Sequence, residues 1–486
     1  MNQGKVASSF AFKFFERFSV KAIGLVINIL LARLLAPEVF GLLALMMVFV
    51  NLANTFVQSG FGVALVQNKT TKDEDYSTVF YVVFGVAVFF TTILFLIAPF
   101  IARYYNNDIL TWPFRILSFS LLFGAFNSIQ TAKLQREMRF KPMMYCNVIA
   151  TVLSGIVGVI SAYQGAGLWA LVIYNLAHSV AVSFIMLFVA KWYPKFVFSP
   201  SRALVFFSFG WKMLVSGLLC SLYYDIRSLI IGRRYSTADL AYYNKGQQYP
   251  DLVEKTIDDS LQAVMLPVLS REQDSKEALQ QGMLRAISIT MFGVSPAMFG
   301  LAAIAKTMVP LLLTEKWNAC IPLLMILCIG YMAGPRLSSN LSVLKATGRS
   351  DLYMKVEVIR RIAMVVILLV TLLVFDSVMA ITISFSLGFW LDAYITIVSS
   401  KRIIGVGWWK QLEKIWKSFV AGGIMFLAVY SINSLAMHLF IKLILQIIVG
   451  VLAYLLVSLL LKNEVLMSGK DMLLRFLNKK KGSTEG

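Results

Sequence analysis

Long apolar runs recur along the whole chain, separated by short polar turns or turns that contain Pro or Gly. A helix needs about 20 apolar residues to cross the hydrocarbon of a bilayer, and it bonds its own backbone groups on the way. The runs are continuous and lack the alternation of a barrel strand, which excludes a membrane β-barrel. The pattern therefore predicts an all-α integral membrane protein with about 14 transmembrane helices. The predicted spans are 8–34, 38–66, 77–101, 112–133, 143–163, 167–190, 204–232, 249–270, 283–306, 318–344, 354–375, 378–400, 415–436 and 439–461.

A faint internal repeat indicates two lobes. Residues 31–66 recur 200 residues later, with Arg33 opposite Arg233 at the same helix-loop-helix position. Six helices return the chain to the same side of a membrane, so the repeat predicts two six-helix lobes in parallel relation, followed by a C-terminal helix pair. The predicted parts are an N-lobe at 1–195 with helices 1–6, a C-lobe at 196–402 with helices 7–12, helices 13 and 14 at 403–462, and a cytoplasmic tail at 463–486.

Composition agrees with a membrane protein. The 486 residues are 58% hydrophobic and 14% charged, against about 25% charged in soluble domains. Lys and Arg number 45 and Asp and Glu 25, a formal charge of +20. We assign most of these cations to cytoplasmic loops, where they set orientation, and expect no nucleic-acid partner. Taking the loops alternately places both termini in the cytoplasm, with the chain in an inner, cytoplasmic-type membrane.

One segment breaks this orientation rule. Residues Ile231–Pro250 are predicted to be external, yet they carry Arg233, Arg234 and Lys245. Either the predicted helices are wrong at this point, or these cations line a cavity. The internal repeat favours the cavity.

Charged and polar residues also fall inside predicted helices, at helical spacing. Lys13, Arg17 and Lys21 lie at i, i+4 and i+8 of the first helix, and Asn28 continues the stripe. An ionisable group at the bilayer centre costs about 2.5–3.5 kcal/mol, so such a stripe is expected to face a protein interior or water. The alternative for Lys13 and Arg17 is that they extend to the cytoplasmic surface.

Further charges lie in the second half of the chain. The seventh helix carries Asp225 and Arg227, and the eighth carries carboxylates on one polar face, which fits a water-filled cavity or an amphipathic stretch at the membrane surface. The candidate substrate-binding residues of a cationic cavity are Lys13, Arg17, Lys21, Asn28, Lys212, Tyr224, Arg227, Lys245 and Arg336. The candidate ion-coupling or charge-pairing residues are Asp225, Asp251, Glu254, Asp258 and Asp259.

Motifs of conventional catalysis are missing from the sequence. It has no G-x-x-x-x-G-K-[ST] phosphate loop and no H-E-x-x-H, and its two histidines, His178 and His438, lie far apart. The four cysteines show no metal-ligand spacing. We therefore predict no catalytic residues, no metal site and no cofactor, and we expect that the protein is not an enzyme.

Several short motifs resemble one family of transporters. They are the run Leu31–Leu42 (LARLLAPEVFGL), Gln58–Gly62 (QSGFG), Gln130–Arg136 with Phe140, and Lys345–Arg349 (KATGR). In combination these motifs, spread over nearly the whole chain, resemble the polysaccharide transporters of the multidrug/oligosaccharidyl-lipid/polysaccharide exporter superfamily. These are the Wzx-like flippases of lipid-linked oligosaccharides.

This resemblance implies two helical bundles around a cationic cavity that opens alternately to the two sides of the membrane. It implies translocation of undecaprenyl-diphosphate-linked oligosaccharide repeat units for surface polysaccharide biosynthesis. The implied partners are the lipid-linked oligosaccharide and membrane lipids, with polymerase and chain-length components of the pathway as further candidates. The carboxylates of helix eight leave the sign of the cavity's charge open. A multidrug or cation exporter of the same superfamily, a membrane-embedded glycan polymerase and a structural assembly protein are the alternatives.

Overall fold

Seventeen α-helices and three short 3-10 turns make up the regular structure of the described residues. These residues are 3–58, 61–67, 72–271 and 275–468 of a computed structural model. Ten helical segments among them are long and apolar enough to cross a membrane. The predicted fold class, an all-α integral membrane protein, is confirmed, and the protein is a multi-pass membrane protein.

The chain divides into two compact units, Met1–Ala241 and Tyr242–Gly486, and the division falls inside α10. The helices up to that one are α1 Gln3–Leu34, α2 Pro37–Gln58, α3 Phe61–Gln67, α4 Asp73–Tyr104, α5 Thr111–Ser118, α6 Ser120–Arg136, α7 Phe140–Tyr163, α8 Leu168–Ala190 and α9 Pro200–Arg234. The others are α10 Thr237–Arg271, α11 Lys276–Leu313, α12 Cys320–Tyr331, α13 Gly334–Ala346, α14 Ser350–Val374, α15 Val378–Ile404, α16 Trp408–Ser431 and α17 Leu439–Leu460. The predicted lobe boundaries at 195 and 402 stay predictions.

Four more long helices lie outside these ten segments. They are α1, α9, α10 and α14, which have 32, 35, 35 and 25 residues and carry most of the charges that the sequence places inside predicted helices. Each corresponds to one of the remaining predicted spans. The total of about 14 spans stays a prediction.

The internal repeat has a counterpart in the order of the helices. The α1 helix ends at Leu34 and α2 begins at Pro37, while α9 ends at Arg234 and α10 begins at Thr237, so the turn recurs at the 200-residue offset seen in the sequence. A 3-10 turn follows α4, and another follows α11.

Two predicted spans contain a local break. The span 112–133 is α5 and α6, and the span 318–344 is α12 and α13. The span 38–66 includes α2 and α3, and residues 59 and 60 between them lie outside the described residues. Between α5 and α6, the Phe119 N–H donates to the Ile116 carbonyl, three residues back. Between α12 and α13, the Ala333 N–H donates likewise to Gly330. These tightened turns leave the apolar run uninterrupted, which is why hydrophobicity alone did not reveal them.

The predicted external loop Ile231–Pro250 is wrong. Only Tyr235 and Ser236 separate α9 from α10, and Lys245 lies within α10. The apolar run stops early because the first turns of α10 carry Asn244, Lys245, Gln247 and Gln248. Tertiary contacts hold these polar turns in the helix, since Tyr243 and Lys245 are both buried.

The core of the first unit is built around α4. This helix packs against α2, α5, α6 and α9. At its cytoplasmic-predicted end, Phe80 is buried with its ring centroid 4.8 Å from Phe126 and 5.9 Å from Trp192. Burying aromatic rings of this size dominates the energetics of a core. These contacts fix α4, α6 and the segment after α8 relative to one another.

The core of the second unit is built around α11, which packs against α12, α13, α16 and α17. The hydroxyl of Tyr454 in α17 donates to the Phe292 carbonyl in α11 at 2.9 Å. Ser377 caps the start of α15, and Gly405 ends that helix with φ 72°, a conformation that costs glycine little. The C-terminal helix pair α16 and α17 is thus an integral part of this unit.

Candidate functional site

The cationic stripe of α1 is described from Lys21 onward. Lys21 is exposed and Asn28 is half-buried. A Cβ atom at Gly24, between them, would meet nothing within 4 Å, so this face of α1 is open. Beside this face, α1 packs tightly against α7, because a Cβ at Gly155 of α7 would overlap the Ile27 side chain. The side chains of Lys13 and Arg17 lie outside the described residues.

In α9, the predicted site residues Asp225 and Arg227 are described. Arg227 is 2% exposed and Asp225 is half-buried. Ser221 forms a hydrogen bond of 3.1 Å with Thr55 of α2, which anchors this part of α9 within the first unit. The side chains of Lys212 and Tyr224 lie outside the described residues. The Arg227 guanidinium is thus enclosed by protein, and its role in binding stays a prediction.

An apolar groove lies in the first unit where α4 and α9 end. Its volume is about 640 Å³. Arg233 and Arg234, both exposed, belong to its lining, and the Arg233 guanidinium lies 5.0 Å from the centre of the Tyr104 ring. We call it the arginine groove; its residues are Phe49, Phe100, Ile101, Tyr104, Tyr105, Leu229, Ile230, Arg233 and Arg234. The site residues proposed from the sequence omit both arginines. The sequence did mark them, because they are exceptions to the orientation rule.

The carboxylates of α10 face α12 and α13 within the second unit. The Tyr331 hydroxyl donates to Asp251 at 3.1 Å, and the Ser338 hydroxyl donates to Asp258. Between these contacts, a Cβ at Gly334 would overlap the Glu254 carboxylate, so the absence of a side chain lets this carboxylate lie against α13.

This face therefore packs against protein. Lys255 adds an ion pair to Asp251 at 2.8 Å. Asp251, Glu254 and Asp258 are brought together along one helix face, as the sequence spacing predicts, while the Asp259 side chain lies outside the described residues.

Two further predicted cations lie against tryptophan rings in the second unit. The Lys245 ammonium is 5.4 Å from the centre of the Trp317 ring and donates to Gln248 at 3.4 Å. The Arg336 guanidinium is fully buried between Trp390 at 4.3 Å and Trp408 at 4.4 Å. Its three nitrogens have no hydrogen-bond partner among the described residues.

Such stacking stabilises a cation by about 0.5–2 kcal/mol per ring, and more strongly where water is excluded. In this conformation the Arg336 guanidinium is enclosed by protein, so it contacts a ligand only after these rings move apart.

A buried ion-pair network joins α14 to α15. Arg360 is 3.1 Å from Asp392 and 2.7 Å from Glu357, and Arg361 is 3.3 Å from the second oxygen of Glu357. Arg360 and Asp392 are 4% and 2% exposed. These charges neutralise one another, which makes them a structural connection between two helices.

Within the part of the chain that the structure describes, no group of three or more His, Cys, Asp or Glu side chains could hold a metal ion. The described side chains of these sites are cationic, aromatic, amide and carboxylate groups.

Comparisons with known proteins agree with this architecture. A family model described as "Polysaccharide biosynthesis protein" matches residues 30–322. The chain is 26% identical over 302 residues to the teichuronic acid biosynthesis protein TuaB of Bacillus subtilis (strain 168), and the match spans 62% of each chain, less than two thirds of that relative. It is 24% identical over 404 residues to the lipopolysaccharide biosynthesis protein WzxC of Escherichia coli (strain K12), covering 82% of this chain and 81% of WzxC.

The fold is similar to that of the lipid II flippase MurJ in an inward closed conformation. The TM-score is 0.77 at 14% sequence identity, over 94% of this chain and 99% of that one.

Proposed function

The chain belongs to the family of polysaccharide biosynthesis proteins, and from this premise we propose that it is a flippase for lipid-linked oligosaccharides. It moves undecaprenyl-diphosphate-linked repeat units from the cytoplasmic to the periplasmic leaflet of the inner membrane by alternating access. Its termini lie in the cytoplasm. The resulting glycans feed surface polysaccharide biosynthesis, with polymerase and chain-length components as further partners. The pathways in the names of TuaB and WzxC, and the flippase likeness in fold, support this assignment.

The observation that carries the proposal is the arginine groove. Most of its lining is aromatic or aliphatic, and Arg233 and Arg234 are its only charged lining residues. A polyprenyl diphosphate has the same division, since a long hydrocarbon chain ends in phosphates. Guanidinium groups bind phosphate oxygens through paired hydrogen bonds. The groove therefore suits both parts of this substrate.

The orientation rule does not explain the positions of Arg233 and Arg234. With the N-terminus in the cytoplasm, α9 ends on the external side, where cations oppose the usual orientation rule. A binding role explains why both are there. We propose Lys21 and Arg227 in the first unit and, separately, Lys245 and Arg336 in the second as further candidates for binding phosphate.

A cation exporter of the same superfamily fits less well. Two guanidiniums repel a cationic drug, and an exporter of that kind would use the carboxylates of α10 as its binding groups. Asp251 is instead engaged with Lys255 and Tyr331, and Asp258 with Ser338. We therefore assign these carboxylates to charge pairing and helix packing.

The test replaces Arg233 and Arg234 together with glutamine and follows the sidedness of lipid-linked oligosaccharide in cells that lack the chromosomal copy. Each charge-assisted hydrogen bond contributes about 1.5–3 kcal/mol. Since 1.4 kcal/mol corresponds to a factor of ten, we expect export to fall about tenfold or more, with substrate retained in the cytoplasmic leaflet.

Arg103→Gln is the matched control. Arg103 is exposed in the last turn of α4, on the same predicted side, and does not line the groove. We expect its export to match the wild type. Unchanged export in an inserted double variant would refute the proposed role of the groove. Loss of export in both variants would indicate a general effect of surface charge.

A further inference from the structure

A second cavity, of about 250 Å³, lies within the first unit and is lined by α2, α5, α6, α7 and α8. Its described polar lining consists of five asparagines, one glutamine, one histidine and two serines, and no Asp, Glu, Lys or Arg is among the described residues that line it. We call it the amide pocket. A concentration of neutral amides in helices that cross a membrane requires an explanation, because each amide is costly to place in hydrocarbon.

The amides are arranged by helical spacing. Asn51, Asn54 and Gln58 lie at i, i+3 and i+7 on one face of α2. Asn175 and His178 lie at i and i+3 on α8, where His178 forms a 3.4 Å hydrogen bond with Thr151 of α7. Polar faces from separate helices thus converge on one volume.

Two acceptors in the pocket are unsatisfied. The side-chain oxygens of Asn54 and Asn127 are buried, and neither has a hydrogen-bond partner among the described residues. An unsatisfied buried acceptor costs about 1–3 kcal/mol, so a ligand that donates a hydrogen bond to it gains free energy of binding. The wall beside Asn54 is Gly124, where an added Cβ would lie 3.3 Å from the Asn54 oxygen. Glycine at this point keeps the volume next to the acceptor open.

The composition of the lining restricts the class of ligand. A phosphate would be left without a cation, and a metal ion would be left without a carboxylate to offset the loss of its water. Amides and hydroxyls both donate and accept, which matches the hydroxyl groups of a sugar. The volume is below the roughly 300–1,000 Å³ of pockets for drug-sized ligands, so it has room for one ring and not for a whole repeat unit.

We propose that the amide pocket binds one uncharged sugar ring of the transported oligosaccharide. This inference rests on the proposed function and adds a glycan subsite to it. The sugar hydroxyls donate to the oxygens of Asn54 and Asn127 and exchange hydrogen bonds with the remaining amides. The arginine groove takes the lipid and its phosphates, and the amide pocket selects among glycans.

The experiment measures binding of methyl glycosides to the purified full-length protein by saturation-transfer NMR. The probes are the methyl glycosides of glucose, galactose and mannose, with methyl glucuronide as the charged counterpart. We expect at least one neutral glycoside to bind and methyl glucuronide to bind more weakly, because the pocket has no cation for its carboxylate.

Three variants separate a binding role from a structural one. Gly124→Val fills the space beside Asn54, whereas Gly85→Val adds the same side chain in a place where a Cβ meets nothing within 4 Å. We expect affinity to fall about tenfold or more in the first variant, the loss of about one hydrogen bond to a buried polar group, and to stay unchanged in the second.

The third variant, Asn54→Ala/Asn127→Ala, also loses affinity, and its thermal unfolding is measured beside the wild type so that lost binding by folded protein is distinguished from unfolding. Failure of every neutral glycoside to bind the wild type, as in a cavity that holds only water, would overturn the inference. So would equal binding by Gly124→Val and wild type, or a preference for methyl glucuronide.

The same preparations are assayed in vesicles for translocation of undecaprenyl diphosphate that carries a single sugar. Translocation without any glycoside binding overturns the sugar site and leaves the flippase assignment intact. Glycoside binding that depends on Gly124, without translocation, supports the sugar site and overturns the flippase assignment instead.

Discussion

Asp392→Asn is expected to lower the free energy of unfolding by about 3 kcal/mol, the lower end of the about 3–5 kcal/mol measured when a buried ion pair loses one partner. Asp392 is 2% exposed and lies 3.1 Å from Arg360, which is itself 4% exposed. Without the carboxylate, a buried guanidinium between α14 and α15 keeps only Glu357 as its acidic partner. The loss is measured by titration with sodium dodecyl sulfate in mixed micelles, with circular dichroism as the readout.

Two further variants show whether the effect comes from the ion pair. Arg360→Met/Asp392→Leu removes both charges, and we expect it to recover most of the stability, since an apolar pair of similar volume replaces a buried ion pair at little cost. Asp351→Asn is the matched control, because Asp351 pairs with Arg349 at 3.1 Å on the surface, and it should leave stability unchanged. A double variant as unstable as Asp392→Asn would show that packing at these positions matters and the pairing does not.

Gly41→Val is expected to destabilise the first unit by about 3 kcal/mol or more and to reduce the yield of folded protein strongly. A Cβ atom at Gly41 would overlap the backbone carbonyl oxygen of Thr237, where α2 crosses the start of α10. A backbone atom has no alternative rotamer, so the two helices would have to separate. Thermal unfolding in detergent, together with the monodisperse fraction on gel filtration, measures the effect.

Gly85→Val is the control for this second prediction as well. It introduces the same side chain into a helix of the same unit, at a position where a Cβ meets no atom within 4 Å. We expect a small effect, limited to the modest helix propensity of valine. Equal losses in both variants would show that the flexibility of glycine is what matters, and that the contact with Thr237 does not.

Hydrophobic periodicity was sufficient to predict the fold class and most of the helices, because burying apolar length in a bilayer depends on composition alone. It failed where polar residues lie in a helix. The polar sequence of the first turns of α10 was predicted to be a loop. These turns are helical because Tyr243 and Lys245 are buried against neighbours that are remote in sequence. The breaks before Ser120 and Gly334 were missed because a local turn does not change the hydrophobicity of the run.

The candidate site was only partly accessible from sequence. Spacing along one helix predicted that Asp251, Glu254 and Asp258 share a face, and this is confirmed by their contacts with α12 and α13. The amide pocket was not predicted. Asn54, Asn127 and Asn175 belong to three different helices, and nothing in their order along the chain indicates that they meet.

The sequence by itself determined that the protein crosses the membrane many times and that charges lie inside some of its helices. These properties follow from the local free energy of transferring each segment into lipid. Only the tertiary structure decided which charges are neutralised, as in Arg360 with Asp392, and which are stacked on rings, as in Arg336. It also decided where cavities remain, because a cavity depends on the gaps left when several helices pack, and no single helix encodes it.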